Sequence, residues 1–303
     1  MTTATAYLSG KWIPHQELHL PIDDLGFIWG ATVVERLRTF NGQLFRPEEH
    51  FLRLRRSLEI MGWDADALCD EVSRASHEFI ERNSSLFQSD DDWNMVVFIT
   101  PGKTLDARQP TVCVHGQPLP FRYWAEQYQT GVPCTIVDVR QIPSDCWPAE
   151  LKCRSRMHYF LADHQARSTV PGAQAILLDQ DGHIGEATTA NVVAYFPDRG
   201  LVTPPRSKVL PGVSQHVLFE LADSLGIPHC ENDLLPQQLA AADEAYLTST
   251  SICLLPITQL DNKPLAHGNA GPIYQKLLTA WGKLVGVDIA AQAQQFCKPR
   301  PKA

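Results

Sequence analysis

The chain has 303 residues, with 34 acidic against 26 basic side chains, a formal net charge of -8 and a pI of about 5.7. Hydrophobic residues at 44% against 20% charged exclude a disordered chain, and an acidic balance without a basic run argues against a nucleic-acid groove. No apolar stretch is long enough to span a bilayer; the longest, NMVVFIT from Asn94 to Thr100, reads as a buried strand.

The first forty residues read as strands and turns. Asn41-Gly42, between VVERLRTF and QLF, predicts a hairpin. PEEHFLRLRRSLEIM then predicts a helix. Pro47 stands at its first position, Glu48 and Glu49 favour its positive end, and Gly62 stops it. Phe51, Leu54, Leu58 and Met61 form its expected core stripe. A second helix is expected over ADALCDEVSRASHEFIERN, followed by the strands NMVVFIT and TVCVH. Prolines and lost periodicity suggest an interdomain linker over 118–128, with domains at 1–117 and 129–303.

The second half opens on an alternating strand, PCTIVDVRQ, and a helical stretch, RSRMHYFLADHQARS, follows Lys152. AQAILLD, the turn Gln180-Asp181-Gly182 and a return strand ending at Glu186 read as a hairpin. NVVAYF is a strand, VSQHVLFELADS a helix ended by Gly226 and Pro228, and EAYLTS a strand running into Thr248-Ser249-Thr250-Ser251. The last helix, GPIYQKLLTAWGKLVG, carries a stripe of Ile273, Leu277, Trp281 and Leu284. Strands and helices mix without a regular βαβ repeat, so the fold class is α+β in two domains. Eight scattered cysteines with no C-x-x-C pair favour a reducing cytoplasm over a zinc site or disulfide framework, and no metal is expected. The N-terminus lacks the basic start and apolar run of a secretory signal.

Chemistry gathers in a few segments. Lys152 precedes a half-apolar helix and has Arg154 and Arg156 nearby, whose field could lower an amine pKa; the bland alternative is a solvated lysine. Glu186 lies among small hydroxyl residues at a strand end, where hydrogen bonds can keep a carboxylate ionised, although surface turn glutamates are commoner. Leu210-Pro211-Gly212-Val213-Ser214 enters a helix, and free N–H groups with a serine hydroxyl there suit a phosphate. Ser249 and Thr250 could complete such a cup, or simply bond their own turn. Arg53 is a candidate phosphate partner.

Five segments in order resemble the class IV aminotransferases, which carry pyridoxal 5′-phosphate: GFIWGATVVERLRTFNGQLFRPEEHFLRL, Leu151-Lys152, AILLDQDGHIGEATTANVVAYF, LPGVS and YLTSTS. The resemblance spans almost the whole chain. It implies a small N-terminal α+β sandwich and a larger, barrel-like C-terminal domain carrying Lys152, with the cofactor between them and two chains forming a homodimer. It implies that Lys152 bonds the cofactor covalently and that Glu186 pairs with its ring nitrogen. Arg53, Val213, Ser214 and Thr250 with its neighbour Ser249 would contact the phosphate, and Asn191 would lie near the cofactor. The group includes branched-chain and D-amino acid aminotransferases and aminodeoxychorismate lyases. Val34 stands where D-specific members carry tyrosine, and their Arg-x-His trap is missing after Thr100-Pro101-Gly102. Glu35 to Phe40 resembles the branched-chain type, but the residues after Lys152 depart from it. Tyr159 and Arg38 are candidate substrate contacts, Arg38 being equally readable as a strand arginine. An L-amino acid of branched-chain kind is therefore expected as donor to a 2-oxo acid. A lyase and a catalytically degenerate binding or scaffold protein are the alternatives.

Overall fold

A computed structural model describes residues 4–86, 91–265 and 268–298. The chain forms two compact units. The first takes in the chain up to Pro120 together with Leu151–Ser155, and the second Phe121–Glu150 with Arg156–Cys297.

The first unit contains, in order, β1 (Thr5–Leu8), β2 (Lys11–Pro14), α1 (Leu25–Ile28), β3 (Val33–Phe40), β4 (Gln43–Leu44), α2 (Pro47–Ile60), α3 (Ala65–Asn83), β5 (Trp93–Thr100) and β6 (Thr111–Pro118). Its antiparallel sheet runs β2-β1-β6-β5-β3-β4. Asn41 and Gly42 take positive φ (50° and 74°), the backbone a two-residue hairpin needs, so the β3–β4 turn forms where the sequence predicts. The two long helices cover one face. Asp64 caps α3 by accepting from Ala67 N at 3.1 Å. Leu54 and Leu58 of α2 and Leu68, Val72 and Phe79 of α3 pack on Val33, Leu37, Met95 and Val97. Phe51 and Met61 only border this core; the buried face of α2 also carries His50 and Ser57.

The second unit adds α4 (Gln127–Thr130), β7 (Val132–Arg140), α5 (Met157–Thr169), β8 (Gln174–Leu178), β9 (Ile184–Ala187), β10 (Ala190–Phe196), β11 (Gly200–Thr203), α6 (Val213–Ser224), β12 (His229–Glu231), α7 (Pro236–Ala240), β13 (Glu244–Ser249), β14 (Cys253–Leu260), β15 (Lys263–Pro264), α8 (Pro272–Val285) and α9 (Ile289–Gln295). Strands run β10-β13-β14-β7-β8-β9, and β9 pairs back onto β10, which closes the sheet into a barrel-like ring; β11 and β12 extend it outward from β10. Closure gives β9, otherwise an edge strand, a second partner, and leaves β12 as an edge. The β7–β8 pair is parallel. Such a pair needs a long crossover, and α5 supplies it, packing Ala162 and Ala166 against Val137, Ala175 and Leu177.

Three features differ from the sequence expectation. Residues after Pro120 are not a bare linker: Phe121 and Tyr128 are buried, and Tyr128 Oη donates to Ile252 O at 2.8 Å. The helix after Lys152 begins only at Met157, because the backbone before it is strand-paired. On α8 the core side chains are Tyr274, Leu277 and Trp281, while Leu284 is exposed. Glu244 sets that rotation: its carboxylate accepts from Ile273 N and Tyr274 N at 2.9 Å each.

All eight cysteines are free thiols. Among the described residues no helix is long and apolar enough to cross a membrane.

Candidate functional site

Glu35 lies on β3 between Val33 and Leu37, and strand alternation turns all three toward the helices. A buried carboxylate must be paired. Arg53, one turn beyond His50 on α2, closes a two-pronged bond on it, Nε to Oε1 at 2.7 Å and Nη2 to Oε2 at 2.8 Å. His50 Nδ1 lies 3.0 Å from Oε2. Burial raises the Glu35 pKa, but the charge and hydrogen bonds of Arg53 and the His50 bond outweigh it and hold the carboxyl well below its ordinary range. His50 is held below its ordinary value, chiefly by burial.

Lys152 joins this unit through its backbone. Its N–H donates to Ser57 Oγ at 3.1 Å, and its carbonyl accepts from Val34 N at 3.0 Å. Arg154 N donates to Thr32 O at 2.9 Å, and Val33 bridges Cys153. The lysine segment is thus a short added strand on β3. This is why it packs in the first unit although the sequence expectation assigned it to the C-terminal half. The half-buried side chain lies within electrostatic range of His50.

The remaining candidates belong to the second unit. Glu186 on β9 is cross-strand partner to Asn191 on β10, which is in register with Thr248 on β13, so the three side chains share one face. Glu186 Oε1 accepts from Gln141 Nε2 at 2.6 Å and from Tyr159 Oη at 2.5 Å, and Oε2 from Leu210 N at 3.3 Å. Burial first, then the Glu186 charge and hydrogen bond, push the Tyr159 phenol well above its ordinary pKa, so it stays a donor. Asn191 Nδ2 donates to Leu210 O at 2.8 Å, and its Oδ1 packs so closely on Gly212 that no Cβ fits there. That contact seats the start of α6, whose N-cap, Gly212, gives no side-chain cap. The first-turn N–H groups of Val213 and Ser214 are then donors without intrahelical acceptors, at the positive end of a twelve-residue helix. Thr248 bonds Cys253 O at 2.7 Å, and Ser249 and Thr250 follow half-buried.

So β9, β10 and the start of α6 bring together Glu186, Asn191, Val213 and Ser214, with Tyr159 joined through Glu186, while Ser249 and Thr250 follow Thr248 at the end of β13. The first unit gathers Arg53, Val34 and Lys152. Arg38 is engaged elsewhere: it is buried, lies 4.0 Å over the Phe40 ring and faces Asp92 at 3.4 Å. Its carboxylate partner is therefore this chain's own. Sequence reasoning assigned no task to Glu35, His50 or Gln141. A charged residue in the inward register of β3 was the available signal for Glu35; Gln141, at a strand end, offered none. Asp179, Asp181 and His183 could in principle ligate a metal, but Lys208 Nζ already lies 2.9 Å from Asp179 Oδ2.

The donor set suits pyridoxal phosphate: an uncapped helix start with a buried serine for an anion, and a buried carboxylate for a ring N–H. Gln141 Oε1 is also buried and without a partner among the described residues.

The first-unit cluster carries a stability prediction. Glu35→Ala leaves Arg53 buried without its carboxylate and is expected to cost about 3 kcal/mol or more in urea unfolding at pH 7.5. Both Glu35 and His50 bind protons more readily in the unfolded chain. Their contribution is therefore complete above the unfolded histidine value of about 6.5, and is lost as pH falls through each lowered folded-state value. Urea melts at pH 7.5 and 5.5 should show the His50 part of that decline, and melts from pH 4.5 downward the Glu35 part, which should be missing in Glu35→Ala.

Residues 32–260 match the family described as Amino-transferase class IV. A Methanocaldococcus jannaschii protein named as a branched-chain-amino-acid aminotransferase is 27% identical over 293 residues, covering 91% of this chain and 97% of that one. The D-alanine aminotransferase of Bacillus licheniformis is 25% identical, covering 90% and 94%. Among solved structures, the branched-chain aminotransferase of Thermoproteus uzoniensis with norvaline superposes with a TM-score of 0.80 at 24% identity, covering 94% and 96%. That of Escherichia coli gives 0.81 at 21%, covering 94% and 95%. The match over most of the chain, on a fold and donor set of this kind, places the protein in the class IV aminotransferase family.

Proposed function

We propose that this class IV aminotransferase uses pyridoxal 5′-phosphate to move an amino group from an L-amino acid of branched-chain kind to a 2-oxo acid. The observation that carries the reading is the Glu186–Asn191–Thr248 row, with the open start of α6 seated against Asn191. Relatives named for branched-chain and for D-alanine transamination both support the reaction type. The branched-chain donor is favoured by Glu35 to Phe40, by Val34 in place of tyrosine, and by the missing Arg-x-His trap after Gly102.

The bound cofactor supplies an electron sink for the pair left when the substrate Cα–H bond breaks. The residues do the rest. Lys152 Nζ would hold the cofactor covalently at rest and, once the incoming substrate amine has displaced it, would be the free amine that takes the Cα proton and returns it. Glu186 holds the proton on the ring nitrogen by charge. Val213 N–H, Ser214, Thr250 and Arg53 bind the phosphate, with Ser249 and Asn191 shaping the seat. Glu35 fixes the Arg53 guanidinium.

Two copies pair as a homodimer in a reducing compartment. In support, Asp24 bonds Gly26 N, Thr100 and Thr111 within 2.9 Å and so holds α1 rigid, while Ile22, Phe27 and Trp29 beside it stay 84%, 71% and 61% exposed.

The test supplies L-leucine, L-valine or D-alanine with 2-oxoglutarate. Glutamate formed from the L-donors, faster than from D-alanine, is expected. Formation of pyruvate and an aromatic amine from aminodeoxychorismate, with no glutamate from any donor, would replace transfer by the lyase reading.

A further inference from the structure

Tyr159 is spoken for in a way that the substrate-contact expectation did not foresee. Its hydroxyl donates to the same oxygen of Glu186 that Gln141 Nε2 reaches, at 2.5 and 2.6 Å. Both donors are themselves held. The Gln141 backbone is tied on each side, its N–H to Leu178 O at 2.9 Å and its carbonyl to Gln180 Nε2 at 2.7 Å. Its side-chain Cβ and Cγ lie alongside Gly185. The Tyr159 ring packs on His158 at 4.0 Å and lies under Arg156 at 6.0 Å. The two side chains also bond each other, Gln141 Nε2 to Tyr159 Oη at 3.2 Å. The amide orientation is forced, because the reverse would set a carbonyl oxygen against the carboxylate.

We propose that Gln141 and Tyr159 are positioning residues that clamp Glu186 Oε1, orienting its carboxylate and keeping it ionised toward the ring nitrogen of bound pyridoxal 5′-phosphate. The inference rests on the function proposed above. Gln141 cannot titrate, and the Tyr159 phenol keeps its proton because burial and the Glu186 charge disfavour its anion. Two donors on one carboxylate oxygen favour the ionised form. They also stop the rotation that would misdirect it.

The test uses the cofactor-loaded enzyme with Tyr159→Phe and Gln141→Leu, each made in the wild-type and in the Glu186→Gln background. Tyr159→Phe keeps the ring and its packing, so it retains the fold even if Gln141→Leu does not. In the wild-type background each variant is expected to shift the absorption maximum of the bound cofactor. Each should weaken the cofactor's Kd about tenfold, the range for losing a hydrogen bond to a charged group, and lower kcat with KM little changed. In the Glu186→Gln background the same substitutions should change kcat by less than about threefold, since residues acting through one group are not additive. Equal losses in both backgrounds overturn the clamp, because the residues then act independently of Glu186. If the wild type takes up pyridoxal phosphate and both variants match it in spectrum, Kd and kcat, the clamp alone falls. If the wild type takes up none, the functional reading falls and the clamp with it.

Discussion

Replacing Lys152 by alanine is expected to lower transamination by at least about a thousandfold while leaving the fold intact. The chemical reason is that the proposed function gives one amine two tasks, covalent attachment and proton transfer; proton transfer alone is commonly worth a hundredfold to ten-thousandfold. The structural reason is that the segment is anchored by backbone. Lys152 N–H on Ser57 and its carbonyl on Val34 N do not involve the side chain, so alanine keeps both. The thermal midpoint should therefore stay close to wild type. Two measurements check this. A coupled glutamate assay gives turnover. Borohydride reduction followed by peptide mass mapping should find the pyridoxyl group on Lys152 in the wild type and nowhere in the variant. Near-normal turnover, or the label on another lysine, would remove Lys152 from its assigned task.

Much of this arrangement is written in local sequence. Asn41-Gly42 can take the positive φ of a tight hairpin, and Pro47 and Gly62 bracket α2 for reasons a few residues long. Glu186, Asn191, Val213 and Ser214 were legible as motifs, because each sits at a strand end or helix start that local patterning marks. What was not legible depends on partners distant in the chain. Lys152 packs on β3 because Val34, more than a hundred residues earlier, offers an open strand edge. Nothing in LKCRS reports that. Arg38 looks like any strand arginine until Asp92 is placed beside it. Gln141 is an unremarkable polar residue after a strand until the barrel closes through β9 and brings Glu186 within 2.6 Å. The buried face of α8 likewise depends on Glu244 reaching Ile273 and Tyr274.

Glu186→Gln tests the electrostatic half of the mechanism, and the surrounding donors decide how the new amide sits. Tyr159 Oη and Gln141 Nε2 both donate to the position of Oε1. With Tyr159 and Gln141 left as they stand, a glutamine at 186 satisfies them by placing its carbonyl oxygen there. Its NH₂ group must then take the place of Oε2, where Leu210 N–H also points from 3.3 Å. The substitution thus does more than remove a charge: it replaces an acceptor by a donor. A ring nitrogen facing that donor is favoured without its proton, so it loses the cationic form that draws electrons from the breaking Cα–H bond. The proposed phosphate seat at Val213 and Ser214 keeps the Asn191–Leu210 bond when the Leu210–Glu186 bond is lost, and the proposed Lys152 attachment does not involve position 186, so the cofactor is expected to stay bound. The expected result is a fall in kcat of about a hundredfold or more, the scale for losing one preorganised electrostatic partner, with stoichiometric pyridoxal phosphate on the protein and an altered visible band. Steady-state kinetics beside a cofactor titration separate the two quantities. Unchanged kcat with cofactor bound would show that the ring nitrogen takes its proton from another group, and Glu186 would then serve the barrel closure between β9 and β10 rather than the reaction.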